Sequence, residues 1–172
     1  GRVFLAEVPD PATGGDVLVA ELACTGDAVD PRIRPDGASV TYVSGPSLRI
    51  TGSGGDRRLI GGVSPTVSWG SAEFLAAEEM GRSRGHWWSP DGDHLLVARV
   101  DVAPVAEWWI SSPVDPSSPP RAIRYPAAGT ANAEVGLSVV GLDGATTTVD
   151  WSAGGSLEYL AGVSWTAGGP PL

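Results

Sequence analysis

The sequence predicts an all-β protein, a partial β-propeller of about three four-stranded blades with one short inserted helix near residues 71–80. Two observations carry this prediction. The chain has 24 Gly and 15 Pro among 172 residues, and such a composition favours a turn-rich β protein over a helical one. Its strand-like runs also recur around similar turns, as repeated hairpins do in propellers. Seven Trp agree with the pleated surfaces of this fold.

A Pro-Asp-Gly turn occurs twice, each time between two strand-like segments. The first copy ends at Gly37 and leads into residues 39–43, and the second ends at Gly92 and leads into residues 94–100. Pro presets the first turn position, Asp bonds to nearby backbone and Gly accepts positive φ. A fainter echo follows at 163–169. The two good copies stand farther apart than one blade requires, which indicates a helix or long loop between them.

Runs of alternating or β-branched residues mark about a dozen strands along the chain. A complete propeller needs at least four blades. Three blades leave unpaired edges and an apolar blade face, so we expect self-association. The Pro- and Ser-rich segment 111–120 is interpreted as a loop within one β unit. The runs cover residues 3–8, 17–23, 39–44, 47–51, 57–61, 94–101, 106–112, 120–125, 135–141, 145–151 and 157–165.

The helical pattern covers residues 72–80 and ends in two adjacent carboxylates, Glu78 and Glu79. Gly81 marks the end of the helix because glycine accepts the left-handed conformation found there. Carboxylates are unfavourable at that end, where the helix carries a partial negative charge. The pair therefore suits a cation, and the alternative is a solvated helix end in an acidic protein.

Basic and aromatic residues follow the carboxylate pair. We expect Arg82 and Arg84 to hold the two carboxylates by charge-assisted hydrogen bonds. Of the adjacent Trp87 and Trp88, one is expected to face the core from a strand.

Composition and rare residues exclude several classes of function. The net charge of −9 and the pI near 4.5 argue against nucleic acid or an anionic membrane as partner, and apolar runs fall short of the roughly 20 residues of a membrane span. Cys24 stands alone, so an intrachain disulfide is excluded. His86 and His94 lie beside the second turn and are interpreted as structural. No metal or other cofactor is predicted, and no Gly-x-Ser-x-Gly elbow for a catalytic serine is present.

The basic residues and the two ends of the chain bear on the origin of the sequence. All eleven basic residues are Arg, a bias typical of a GC-rich genome. The chain opens with Gly1 directly before a strand-like run and stops just after another, so we expect a segment of a longer protein. The compartment is left open, with the cytoplasm favoured.

Two stretches together resemble the dipeptidyl peptidase IV family, most closely its bacterial and cytosolic branch. Residues 69–92 are similar to the pattern Glu-Glu-x-x-Arg-x-x-Gly-x-Trp-Trp, and residues 124–132 to Tyr-Pro-x-Ala-Gly-x-x-Asn. The resemblance is strong over about 60–140. Departures are Gly81, where relatives often carry Asp, and His86, where they often carry Tyr.

The resemblance implies a function for the carboxylate pair. In that family a double Glu on a short propeller helix binds the free α-amino group of a peptide. A serine, an aspartate and a histidine on a C-terminal α/β-hydrolase domain then cleave after the second residue, usually Pro or Ala. By this resemblance Glu78 and Glu79 bind substrate, with Arg82, Trp87 and Trp88 in support.

The same resemblance implies what lies outside the chain. Residues 1–172 would be a segment of the N-terminal propeller, without catalytic residues of their own. The expected partners are the peptide N-terminus and the hydrolase domain of the parent chain. The family's upstream propeller arginine is not assigned. The alternative is a non-enzymatic binding or scaffold propeller, and a Gly-x-Ser-x-Gly motif downstream in the parent gene would discriminate between the two.

Overall fold

The structure, a computed structural model, describes residues 1–169 and 171. It consists of antiparallel β-sheets and one short helix, so the prediction of an all-β protein with an inserted helix is confirmed. The elements are β1 (Val3–Glu7), β2 (Leu18–Leu22), β3 (Val29–Ile33), β4 (Ser39–Ser44), β5 (Ser47–Gly52), β6 (Arg57–Ile60), β7 (Val67–Trp69), α1 (Phe74–Glu79), β8 (His86–Trp88), β9 (His94–Asp101), β10 (Glu107–Ile110), β11 (Arg121–Arg124), β12 (Glu134–Gly141) and β13 (Thr146–Val149).

The first sheet is a four-stranded meander in the order β3-β4-β5-β6. The first Pro-Asp-Gly turn joins β3 to β4 as predicted. Gly37 takes a φ of 75° and donates its N–H to the carbonyl of Arg34 at 2.8 Å, while the Asp36 carboxylate accepts from the backbone N–H of Ala38 at 2.9 Å. Tyr42 and Leu48, on the two central strands, are fully buried.

The second sheet has the order β13-β12-β9, and two short strands, β7 and β8, both pair with the free edge of β9. The second Pro-Asp-Gly turn joins β8 to β9. In it Gly92, with a φ of 77°, donates to the carbonyl of Ser89 at 2.9 Å. Two ribbons of two strands each, β1–β2 and β10–β11, complete the strands described.

The core forms two apolar clusters, and β9 contributes to both because successive side chains on a strand point to opposite faces. One cluster joins Leu95 and Val97 to apolar residues of the first sheet, and the other lies around Leu96 and Ala98. Leu160, which lies outside any strand, is buried in the second cluster. The first cluster therefore holds the two sheets together.

The two adjacent tryptophans of β8 follow the same alternation. Trp88 packs against the first cluster and Trp87 against the second. One of them was expected to face the core, and both do, because apolar clusters cover both faces of this sheet.

The prediction of a strand over 157–165 is wrong. Of these residues, Trp165 alone forms an isolated bridge, to Pro171. Leu160, Val163 and Trp165 pack against the second cluster instead. Their alternation therefore reflects burial on the face of a sheet and not pairing at its edge.

Open edges remain in the structure, as expected for a partial propeller. The described strands form two sheets, of four and five strands, and two ribbons of two strands each. Large apolar side chains are exposed on both ribbons, including Leu18 at 64% and Trp109 at 67% of their surface. Self-association through these edges remains a prediction.

Within residues 1–169 and 171, no helix has the length and apolar character that crossing a membrane requires.

Candidate functional site: a helix inserted into an edge strand

The helix α1 lies in an insertion that interrupts the edge strand of the second sheet. β7 ends where Trp69 faces Arg99, and β8 begins where His86 faces Val97. Between these pairs, the N–H of Gly70 donates to the carbonyl of Ala98 at 2.9 Å, and the N–H of Ala98 donates to the carbonyl of Gly85 at 2.8 Å. Residues 71–84, the 71–84 insertion, thus leave the sheet and return to it opposite a single residue of β9, Ala98.

The two ends of the 71–84 insertion run close together. Ser71 and Arg84 form an antiparallel bridge. A Cβ at Gly85 would lie 2.4 Å from the carbonyl carbon of Ser71, and Gly70 has a φ of 85°. Glycine is therefore required at Gly85 by close approach of the backbone and at Gly70 by its left-handed conformation.

The helix begins at Phe74, two residues later than predicted, because Glu73 caps it. The Glu73 carboxylate accepts the backbone N–H of Ala76 at 2.7 Å through its Oε2 atom. At the other end Gly81 has a φ of 66°, which confirms the predicted helix end. The chain then reverses, and Arg82 donates its backbone N–H to the carbonyl of Ala76 at 2.8 Å.

Glu78 and Glu79 are exposed on the last turn of α1. No basic residue lies in that turn. Among the residues that the structure describes, the ion pairs and side-chain hydrogen bonds of the insertion involve neither carboxylate. In the described residues, nothing compensates the unfavourable position of the two carboxylates at the negative end of the helix. Their oxygens can therefore accept hydrogen bonds from a cation.

Arg82 does not contact the carboxylate pair as expected. It is buried, and its guanidinium faces Glu73 at 3.4 Å while donating to the backbone carbonyls of Leu160 at 2.7 Å and Arg84 at 2.8 Å. The reason is the reversal at Gly81, which returns the chain toward the start of the helix. The expectation that Arg82 and Arg84 form hydrogen bonds to Glu78 and Glu79 is therefore wrong.

Glu73 is the residue of this region that sequence reasoning missed. It is 6% exposed and Arg82 is 7% exposed, so the pair is removed from water. Burial lowers the pKa of the Arg82 guanidinium, and the negative charge of Glu73 opposes that shift. The available signal was a carboxylate directly before an apolar helical run, a position from which side-chain oxygens cap helices.

His86 and Trp88 anchor the strand that receives the end of the insertion. His86 is fully buried, with Nδ1 3.0 Å from the carbonyl oxygen of Gly70. Burial lowers the pKa of His86, which favours a neutral ring whose Nδ1–H donates to that carbonyl. The indole N–H of Trp88 donates to the carbonyl of Arg32 at 3.3 Å and so links the two sheets.

The two motifs read from the sequence meet beside the helix. Phe74 contacts Tyr125 edge to face with ring centroids 5.3 Å apart, and Tyr125 contacts Trp108 at 6.2 Å. All three rings are about half exposed. The described part of the chain contains no group of three or more His, Cys, Asp or Glu arranged to hold a metal ion.

Comparison with known proteins gives the family. Residues 10–170 match the model described as the dipeptidyl peptidase IV (DPP IV) N-terminal region. The chain belongs to this family. The resemblance stated from its two motifs is thereby confirmed, and so is the partial propeller.

Relatives of this dipeptidyl peptidase IV N-terminal region differ in what their names state. The inactive dipeptidyl peptidase 10 of Mus musculus is 34% identical over 110 residues, which are 63% of this chain and 13% of that protein. The dipeptidyl aminopeptidase B of Saccharomyces cerevisiae is 29% identical over 112 residues, 60% of this chain and 14% of that protein. The chain thus spans about an eighth of the length of these relatives.

A solved structure supports the fold of this dipeptidyl peptidase IV region. The crystal structure of dipeptidyl peptidase 4 from Porphyromonas gingivalis matches with a TM-score of 0.75 and 21% identity. The match covers 96% of this chain and 26% of that chain.

Proposed function

We propose that this chain is the substrate-recognition segment of the propeller of a serine dipeptidyl peptidase, with Glu78 and Glu79 as ligands of the peptide's free α-ammonium group. The observation that carries the proposal is the pair itself. Two adjacent, exposed carboxylates stand at the negative end of a helix that is lifted out of an edge strand.

The charge of the expected ligand fits this pair. An α-amino group has a reference pKa of about 7.7–8.0, so most of it is an ammonium at neutral pH. Its three donors match the acceptor oxygens of two carboxylates. A hydrogen bond to a charged group contributes roughly 1.5–3 kcal/mol, so removing one carboxylate is expected to lower kcat/KM on the order of tenfold to more than a hundredfold.

The fixed position of Glu78 and Glu79 would determine which peptide bond is cleaved. An amino terminus bound at Glu78 and Glu79 would place the second peptide bond at a serine of a separate C-terminal α/β-hydrolase domain, which releases X-Pro or X-Ala dipeptides. Arg82, Trp87 and Trp88 support the site indirectly. Arg82 braces the insertion from inside, and the two tryptophans fix β8 from opposite faces of the sheet.

A non-enzymatic binding module is the second candidate, favoured by the relative whose name states that it is inactive. The propeller segment is compatible with an enzyme and with a binding module, because a catalytic serine would lie in a different domain. A Gly-x-Ser-x-Gly motif downstream in the parent reading frame supports the enzyme, and a stop codon soon after Leu172 supports the binding module.

The test uses the full-length parent and a chromogenic H-Gly-Pro reporter. Glu79→Gln and Glu78→Gln keep the size of each side chain and remove one charge, so kcat/KM should fall at least about tenfold for each. Glu7→Gln, at an exposed carboxylate at the end of β1, is the matched control and should stay within about twofold. Unchanged kinetics in folded Glu79→Gln and Glu78→Gln proteins would contradict the assignment.

A further inference from the structure

We propose that Glu73 is a positioning residue of the ammonium site, acting through its buried pair with Arg82 to set where Glu78 and Glu79 lie. This inference rests on the proposed function. It concerns a third carboxylate of the same insertion, which faces the protein interior and is not offered to substrate.

The two oxygens of Glu73 have different partners. Oε2 accepts the backbone N–H of Ala76 at 2.7 Å and so fixes the first turn of α1. Oε1 lies 3.4 Å from Nη2 of Arg82, which follows the helix. One side chain therefore links the start of the helix to the chain that returns from its end.

Arg82 extends the link to two further parts of the protein. Its Nη1 donates to the carbonyl of Arg84, where the insertion closes on Ser71, and its Nε donates to the carbonyl of Leu160. Leu160 is itself buried in the second apolar cluster. The Glu73–Arg82 pair thus connects the start of the helix, the end of the 71–84 insertion and the core.

The helix needs such a tie because it is short. Six residues form less than two turns, and a helix of that length is unstable without tertiary contacts. Glu78 and Glu79 lie on its exposed last turn, beyond the last buried helix residue, Ala76. Their position therefore depends on how the ends of the insertion are held, and a displacement of about 1 Å at a binding group can cost on the order of a hundredfold in rate.

Two substitutions of Glu73 separate its contact with Ala76 from its contact with Arg82, and one substitution of Arg82 tests the other side of the pair. Glu73→Gln keeps the size of the side chain and an acceptor for Ala76, but it removes the charge that faces Arg82. Glu73→Asp keeps the charge and the capping ability, but it is one methylene too short to reach both partners. Arg82→Lys keeps the positive charge and removes the planar set of donors that reaches Leu160 and Arg84.

The experiment measures the length selectivity of the full-length parent with two reporters, H-Gly-Pro and H-Gly-Gly-Pro p-nitroanilide. A loosened insertion should accept the amino group at other distances. We expect Glu73→Gln, Glu73→Asp and Arg82→Lys to raise KM for H-Gly-Pro about tenfold or more and to lower the preference for it by a similar factor. Loss of folded protein alone would lower both rates together and leave KM and the preference unchanged.

The outcomes distinguish this inference from the proposed function. If Glu79→Gln impairs H-Gly-Pro turnover while the Glu73 and Arg82 variants keep the wild-type KM and preference, the inference is overturned and the proposed function stands. If Glu79→Gln has no effect, the proposed function fails, and the inference fails with it. If Glu73→Gln does not fold, Glu73→Asp and Arg82→Lys decide between these outcomes by the same two measurements.

Discussion

The two sheets repeat one hairpin, and they differ in the strand that precedes its turn. In the first sheet β3 runs into Pro-Asp-Gly and β4, with an irregular register between Val29 and Arg32. In the second, the corresponding strand is split into β7 and β8, and the 71–84 insertion occupies the gap. The candidate site is therefore an addition to an ordinary hairpin, whose remaining strand pairing supplies a rigid frame.

The largest difference between the two sheets is expected in the free energy of unfolding that is lost when a glycine is replaced by alanine. Gly85→Ala would place a Cβ 2.4 Å from the Ser71 carbonyl carbon, and we expect a loss of about 3 kcal/mol in the free energy of unfolding. Gly37→Ala is the control in the first sheet. Its φ is 75° but no atom lies within 4 Å of the added Cβ, so about 1–2 kcal/mol is expected. Equal losses in urea titrations would show that the insertion is not tightly closed.

The second difference is sensitivity to acid. Burial lowers the pKa of His86, so the unfolded chain binds a proton below about pH 6.5 that the folded chain resists. This contribution to stability is complete above that pH and is lost as pH falls toward the lowered folded pKa, by at most about 1.4 kcal/mol per pH unit. His86→Gln should reduce the loss measured between pH 7 and pH 5. An identical pH dependence in this variant would assign the acid sensitivity to other groups.

The first sheet should respond to acid only at lower pH. Burial alone would raise the pKa of Asp56, but hydrogen bonds from Arg49, Thr25 and Tyr42 outweigh it and the pKa is lowered. The stability that this carboxylate contributes is present above its unfolded pKa of about 3.9 and is lost as pH falls through the lower folded value. The two sheets therefore place their acid transitions in different pH ranges.

The smallest expected effect concerns the ribbon edges outside both sheets. Val19 on β2 is 62% exposed, and Val19→Lys places a charge on that ribbon. We expect the 172-residue chain to self-associate weakly, with a mean mass by light scattering that rises with concentration and rises less in the Val19→Lys protein. A monomer at every concentration would show that the edges are covered in some other way.

The parts of the molecule that sequence reasoning predicted are those fixed by local chemistry. The two Pro-Asp-Gly turns and the helix end at Gly81 follow from backbone preferences of a few adjacent residues. The adjacency of Glu78 and Glu79 is likewise written in the chain. These features needed no knowledge of distant contacts.

The errors arise where distant contacts decide. Proximity along the chain predicts that Arg82 contacts Glu78 and Glu79, but the reversal at Gly81 brings it to Glu73 instead. Its guanidinium also donates to the carbonyls of Arg84 and Leu160. β7 is three residues long and gives no strand pattern of its own. The alternating run at 157–165 predicts a strand, whereas its apolar residues pack on a sheet face.

The central claim, that Glu78 and Glu79 recognise a positive charge at a peptide's amino terminus, is tested most directly by changing that charge. In the full-length parent, kcat/KM is compared for H-Gly-Pro p-nitroanilide and for its glycolyl analogue, in which a hydroxyl replaces the amino group. The wild type should prefer the amine by about a hundredfold, and Glu78→Gln/Glu79→Gln should reduce that preference to a few fold. A preference that survives the double substitution unchanged would show that Glu78 and Glu79 do not recognise the charge of the amino terminus.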